Sequence, residues 1–153
     1  TSYGHKLPPG MTHRQRLLAE LAGGIDLKRV HFLGKVPYAT YLNILQVSRV
    51  HVYLTYPFVL SWSMLEAMAA GCLVLASDTP PVTEVIEDGV NGLLVDFFKP
   101  DEIAHKAVAA LEAGRGGLAP IRQQARATIV SRYDLKQICL PEQLRLLQKA
   151  MRL

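Results

Sequence analysis

The 153-residue sequence predicts an α/β fold built on a parallel, doubly wound sheet. Three observations predict it. Short apolar runs alternate with helix-favouring stretches along most of the chain. The run CLVLAS (72–77) is almost continuously apolar, as in a strand with both sheet faces covered. Glycines punctuate the ends of the helical stretches at Gly23, Gly24, Gly71 and Gly114, where a left-handed residue lets the chain turn back.

The elements follow in order. Thr12 is an N-cap for a helix over 12–24, with an apolar stripe at Leu17, Leu18 and Leu21. RVHFLG (29–34) predicts a short strand ending in glycine. YATYLNILQVS (38–48) returns to helical spacing at Tyr38, Leu42 and Leu45. VHVYL (50–54) predicts a strand, SMLEAMAA (63–70) a helix ended by Gly71, and CLVLAS the buried strand. PVTEVIEDG (81–89) predicts a short helix near whose start Glu84 lies, and NGLLVDF (91–97) a further strand. DEIAHKAVAALEAG (101–114) is amphipathic and carries Asp101 and Glu102 at the positive end of its dipole. GRGG (114–117) reads as a loop. Two more helices, over 120–131 and 135–152, close the chain.

Composition narrows the class. Half the residues are apolar and a fifth are charged, which is ordinary globular composition. The net charge of +4 and pI near 9.2 suit a phosphate-bearing ligand or an anionic surface. The basic residues are scattered rather than clustered, which argues against nucleic acid. Cys72 and Cys139 read as reduced thiols, and neither they nor the five histidines have metal-ligand spacing. No apolar run approaches the ~20 residues that span a bilayer. The opening TSYGHKLPPG has no apolar core and reads as an internal segment of a larger protein, not as a signal peptide.

A doubly wound sheet binds ligands outside the carboxyl ends of its strands. The segments to inspect are therefore 34–38, 55–63, 77–83 and 96–99. Within the second, a helix begins near Ser61 or Trp62. A helix start offers free amides and the positive dipole end to a phosphate, and Ser61 and Ser63 add hydroxyls. Glu66 lies about one turn in, with its side chain leaning back towards the start. A carboxylate there accepts two hydrogen bonds from a vicinal diol such as a ribose. A plainer reading competes: Ser63-x-x-Glu66 matches a capping box, in which Glu66 only satisfies a backbone amide.

The wider run adds to this. FLGKV, LEAMAAG, LVLASD and EVIEDGVNGLLV together, spanning about Arg29 to Leu111, resemble the C-terminal donor domain of GT-B glycosyltransferases. More narrowly they resemble family 4, glycosyltransferase group 1, whose fold is a Rossmann-like parallel sheet. The resemblance implies that Glu66 binds the donor's ribose hydroxyls, that the backbone near Ser61, Trp62 and Ser63 holds the diphosphate, and that Gly34, Lys35 and Val36 lie beside the base. It implies transfer of a sugar from a nucleotide diphosphate to an acceptor hydroxyl with retention of configuration. No cofactor and no obligatory metal are implied, and no catalytic residue is identifiable. The partners implied are the nucleotide-sugar donor and a saccharide or lipid-linked acceptor, in polysaccharide or glycolipid synthesis, in the cytoplasm or peripherally at the inner membrane face.

The pattern breaks in two places. The first Glu of the family motif would stand at position 58, which is Phe58; Phe58 is left to wall the donor site or to pack in the core. The family's early strands, with their phosphate-binding Arg and Lys, would be expected first, and no such segment precedes TSYGHKLPPG. Residues 1–153 are thus expected to be one partial donor domain, with the acceptor-binding N-terminal domain absent and transfer activity lost in isolation. A fragment with open sheet edges is expected to pair with another chain, to swap a strand, or to bring VHFL directly beside VHVYL. A non-catalytic nucleotide-sugar module is the alternative function.

Other residues are weighed against structural roles. Glu84 is either near the donor or a charge at a helix start, and Asp78 and Thr79 are rim residues or turn formers. His51 is expected to be structural. Trp62 is expected to dock its helix on the sheet, with stacking on base or sugar as the alternative. The last helix, apolar at Leu140, Leu144, Leu147 and Met151, packs on a domain or lies on a membrane surface.

Overall fold

The computed structural model describes residues 7, 8, 10–56 and 60–151. The chain divides into two compact units, residues 1–36 and 37–153.

The first unit holds α1 (His13–Glu20) and a 3-10 turn (Leu27–Arg29). Thr12 caps α1 as the sequence predicts: its hydroxyl accepts from the Gln15 amide, and the Gln15 side chain accepts in turn from the Thr12 amide. Leu17 and Leu21 of the apolar stripe are exposed, and no residue of α1 is buried. The strand expected over 29–34 is not formed. A strand exists only as a member of a ladder, and no strand occurs among the described residues of this unit. Instead, the Val30 amide donates to the Leu27 carbonyl and closes the 3-10 turn. Direct pairing of VHFL with VHVYL does not occur either: among the described residues, the latter pairs only with CLVLAS.

The second unit is an α/β layer structure. Its sheet has three parallel strands in the order β1 (Val50–Tyr53), β2 (Leu73–Ser77), β3 (Leu93–Val95). Around it lie α2 (Tyr38–Val47), α3 (Trp62–Ala69), the single turn α4 (Pro80–Thr83) and α5 (Pro100–Glu112). The single turn α6 (Gly114–Gly117), α7 (Ala119–Tyr133) and α8 (Leu140–Ala150) follow. GRGG is thus a helical turn and not a loop. A π-helical turn, Leu135–Cys139, precedes α8.

β2 is the centre of the core. All five of its residues are buried. Val74 and Ala76 pack with Met64, Ala67 and Met68 of α3 and Ala125 and Ile129 of α7. Leu73 and Leu75 point to the other face by strand alternation and are buried as well. α3 ends as its glycine predicts. Gly71 adopts φ +81°, the Cys72 amide donates to the Ala67 carbonyl and the Gly71 amide to the Met68 carbonyl, which together form a Schellman motif. Cys72 is buried and donates from Sγ to the Leu45 carbonyl at 2.7 Å; both cysteines are free thiols.

Candidate functional site

The carboxyl ends of β1 and β2 are clamped together. The Thr55 amide donates to Ser77 Oγ at 2.9 Å, and Ser77 Oγ donates back to the Thr55 carbonyl at 2.6 Å. Tyr53, the last residue of β1, accepts from the Ser61 amide on its hydroxyl at 3.0 Å. That bond fixes the start of α3 to the carboxyl edge of the sheet, where a doubly wound fold places its ligands.

Ser61 is the N-cap of α3, and its Oγ accepts from the Ser63 amide. Ser61 Oγ and Ser63 Oγ are 3.0 Å apart. Of the three amides expected to face a phosphate, two are therefore already engaged within the protein, and the Trp62 amide has no acceptor among the described residues. Trp62 is 81% exposed. It does not dock α3 on the sheet, because Met64, Ala67 and Met68 on another side of the helix do that.

The cap position decides between the two readings of Glu66. With Ser61 as N-cap, the residue three positions on is Met64, so no capping box forms with Glu66. The carboxylate instead looks across to α2: the Tyr38 hydroxyl donates to Glu66 Oε1 at 3.0 Å. Tyr41, one turn further along α2, has a buried hydroxyl with no hydrogen-bond partner among the described residues. Burial first, and then the neighbouring Glu66 charge, push the Tyr41 phenol up to about 12. The Tyr38 phenol is raised as well, first by its hydrogen bond to Glu66. Glu66 is thus a half-buried carboxylate flanked by two protonated phenols, beside two serine hydroxyls at a helix start. The two tyrosines are the members of this cluster that the sequence did not reveal: they stand on a different helix, 28 positions from Glu66 in the case of Tyr38. The available signal was their i, i+3 spacing at the start of α2, which puts both on one helix face.

The remaining candidates scatter. Gly34, with φ +63°, and exposed Lys35 and half-buried Val36 belong to the first unit. Phe58 lies outside the described residues. Glu84 is exposed at the C-cap of α4, not at its start, so the helix-dipole reading does not hold: α4 is a single turn that ends there. It lines a groove with Gln124, Thr128 and Arg132 of α7. His51 is half-buried, and burial lowers its pKa. A second cleft of about 520 Å³ lies along β3, lined by Asp78, Asp88, Asp96, Lys99, Glu102 and Lys106. Four carboxylates face two lysines there, a balance that disfavours a phosphate. No group of residues able to hold a metal ion occurs among the described residues.

Both fold and motif define a GT-B glycosyltransferase domain of the C-terminal type. The chain belongs to the glycosyl transferases group 1 family, whose model matches residues 8–113. An uncharacterized glycosyltransferase of Methanocaldococcus jannaschii is 32% identical over 96 residues, 62% of this chain and 24% of that protein. Among solved structures, HepE of Anabaena in complex with UDP superposes with a TM-score of 0.73 at 24% identity, covering 92% of this chain and 36% of HepE. The C-terminal domain of the group 1 glycosyl transferase LpcC of Francisella tularensis gives 0.70 at 23% identity, over 80% of this chain and 63% of that one. Sucrose-phosphate synthase of Thermosynechococcus elongatus gives 0.71 at 22% identity, over 95% and 37%. The chain therefore spans about a quarter of its curated relative and a third to two thirds of these structures.

Proposed function

We propose that the chain is the nucleotide-sugar-binding part of a retaining glycosyltransferase, working in polysaccharide or glycolipid synthesis at the cytoplasmic side. The observation that carries this reading is the Glu66 cluster: a half-buried carboxylate, held from α2, beside the serine-capped start of α3. A ribose offers two adjacent hydroxyls as donors, and Glu66 accepts them. The diphosphate lies against the serine hydroxyls and the Trp62 amide, where the helix dipole favours negative charge. The UDP seen in HepE supports a nucleoside diphosphate as the ligand class, and no cofactor is invoked.

In the whole enzyme the donor is closed between two domains. The bond from the anomeric carbon to the diphosphate oxygen breaks, the acceptor oxygen bonds to that carbon, and the acceptor's proton passes to the departing diphosphate. Stabilising the departing diphosphate is the main electrostatic task. Phe58 stands where the family motif has its first carboxylate, which favours a second reading in which this chain binds the nucleotide without catalysing transfer. Under either reading the chain alone binds and does not turn over; sugar transfer by residues 1–153 in isolation would overturn that.

Calorimetric titration with UDP and UDP-glucose tests the proposal. Saturable binding is expected, weakened about a hundredfold by Glu66→Ala through loss of two charge-assisted hydrogen bonds. Unchanged affinity in that variant would remove Glu66 from the site. In a longer protein that includes an acceptor domain, turnover separates the enzyme from the binding module.

A further inference from the structure

We propose that Tyr38 is a positioning residue for the donor's ribose, acting through Glu66. The inference rests on Glu66 being the ribose carboxylate, and its geometry is independent of that reading. A glutamate side chain has three rotatable bonds, and fixing them against solvent costs entropy each time a ligand is bound. The Tyr38 hydroxyl donates to Oε1 at 3.0 Å and makes that choice in advance. Among the described residues no other donor engages Oε2 or the remaining lone pair of Oε1, and these can accept from two sugar hydroxyls.

Tyr38 is well suited to the task. Its ring sits at the first position of α2, 61% exposed, and packs against Tyr41 with ring centroids 6.1 Å apart. The aromatic ring has only two side-chain torsions to order, so the hydroxyl is a stiff anchor. Tyr41 stands one turn on along α2: its buried hydroxyl, without a hydrogen-bond partner among the described residues, is close enough to feel the Glu66 charge and stays protonated at neutral pH. On the α2 side the carboxylate therefore meets one donating hydroxyl, that of Tyr38, and one protonated hydroxyl, that of Tyr41.

The test compares UDP with its 2′-deoxy analogue on the whole chain, on Tyr38→Phe and on Glu66→Ala, with the unfolding midpoint of each variant read alongside. The wild-type chain is expected to bind UDP about tenfold tighter than the deoxy analogue, since one hydrogen bond to a charged group is at stake. Glu66→Ala is expected to bring that ratio to about one. Tyr38→Phe, which removes one exposed hydroxyl, is expected to cut the ratio about threefold, with a smaller loss for the deoxy analogue, which keeps its 3′ hydroxyl on Glu66; a merely structural role would weaken both nucleotides equally and leave the ratio unchanged. A wild-type ratio in Tyr38→Phe, with the ratio lost in Glu66→Ala, overturns the role of Tyr38 and leaves Glu66 in place. A ratio that survives Glu66→Ala, or no measurable UDP binding by the wild-type chain, overturns the reading beneath it.

Discussion

At the scale of single residues, Asn91 shows how much one buried amide holds. Its Nδ2 donates to the Val85 carbonyl at 2.9 Å and to Thr128 Oγ1 at 3.1 Å, and its Oδ1 accepts from the Glu87 amide at 2.8 Å. It thereby ties the turn before β3 to α7. Asn91→Ala strands the backbone groups it serves, and a loss on the order of 3 kcal/mol is expected, read as a lower urea midpoint; a loss under about 1 kcal/mol would show that water replaces the side chain. Glu66 was legible as a candidate site residue from its place after Ser61 and Ser63. Its partner was not, because a linear reading sees the neighbours on the same helix first. That is why a capping box competed. The two serines each had the chemistry of a cap, and only the structure shows that Ser61 takes the role.

At the scale of elements, α3 is fixed at both ends by groups from elsewhere. Its start is held by Tyr53, and its end is held from α7: Arg126 donates to the carbonyl of Ala69, the last residue of α3, and Arg122 Nε donates at 2.7 Å to the carbonyl of Gly71 in the turn that follows. Cations there also suit the negative end of the dipole. Gly71→Ala meets no neighbouring atom, so its cost is the left-handed backbone alone, about 1 kcal/mol, checked by thermal unfolding; no change would mean the turn relaxes. β1 carries a pH effect. Burial holds the folded-state pKa of His51 below its ordinary 6.5, so the unfolded chain takes up more protons and stability falls as pH drops through about 6.5. His51→Gln is expected to flatten that part of the curve, and an unchanged slope between pH 8 and pH 5 would assign it to other groups. Helices were the readable elements here, since caps and glycines sit in the sequence. The strand expected over 29–34 failed because β-propensity describes how a residue fits a ladder and does not supply the ladder.

At the scale of the whole molecule, every residue of the core cluster lies between Leu45 and Ile129, within the second unit. Among the described residues of the first unit, none is buried. Hydrogen exchange is therefore expected to be slowest in β2 and α3 and fast over residues 10–36; equal protection in the two units would contradict this distribution. The last helix forms as the sequence predicts, yet Leu140, Leu144, Leu147 and Met151 are all exposed. Its amphipathic pattern was readable in the sequence, and its packing was not, because a pattern of period 3.6 states which face is apolar and not what covers it. Family and fold were legible from a run of motifs over about half the chain. The candidate site was legible only where its residues follow one another along α3.

If the start of α3 and the tyrosines of α2 form one nucleotide site, a bound nucleotide perturbs both together. Amide chemical-shift mapping of the whole chain during titration with UDP tests it most directly. The predicted result is a set of saturable shifts at Tyr38, Trp62, Ser63 and Glu66, with the acidic cleft along β3 unmoved. Shifts centred on Asp88, Asp96 and Lys106 instead, or none at α3, would contradict it.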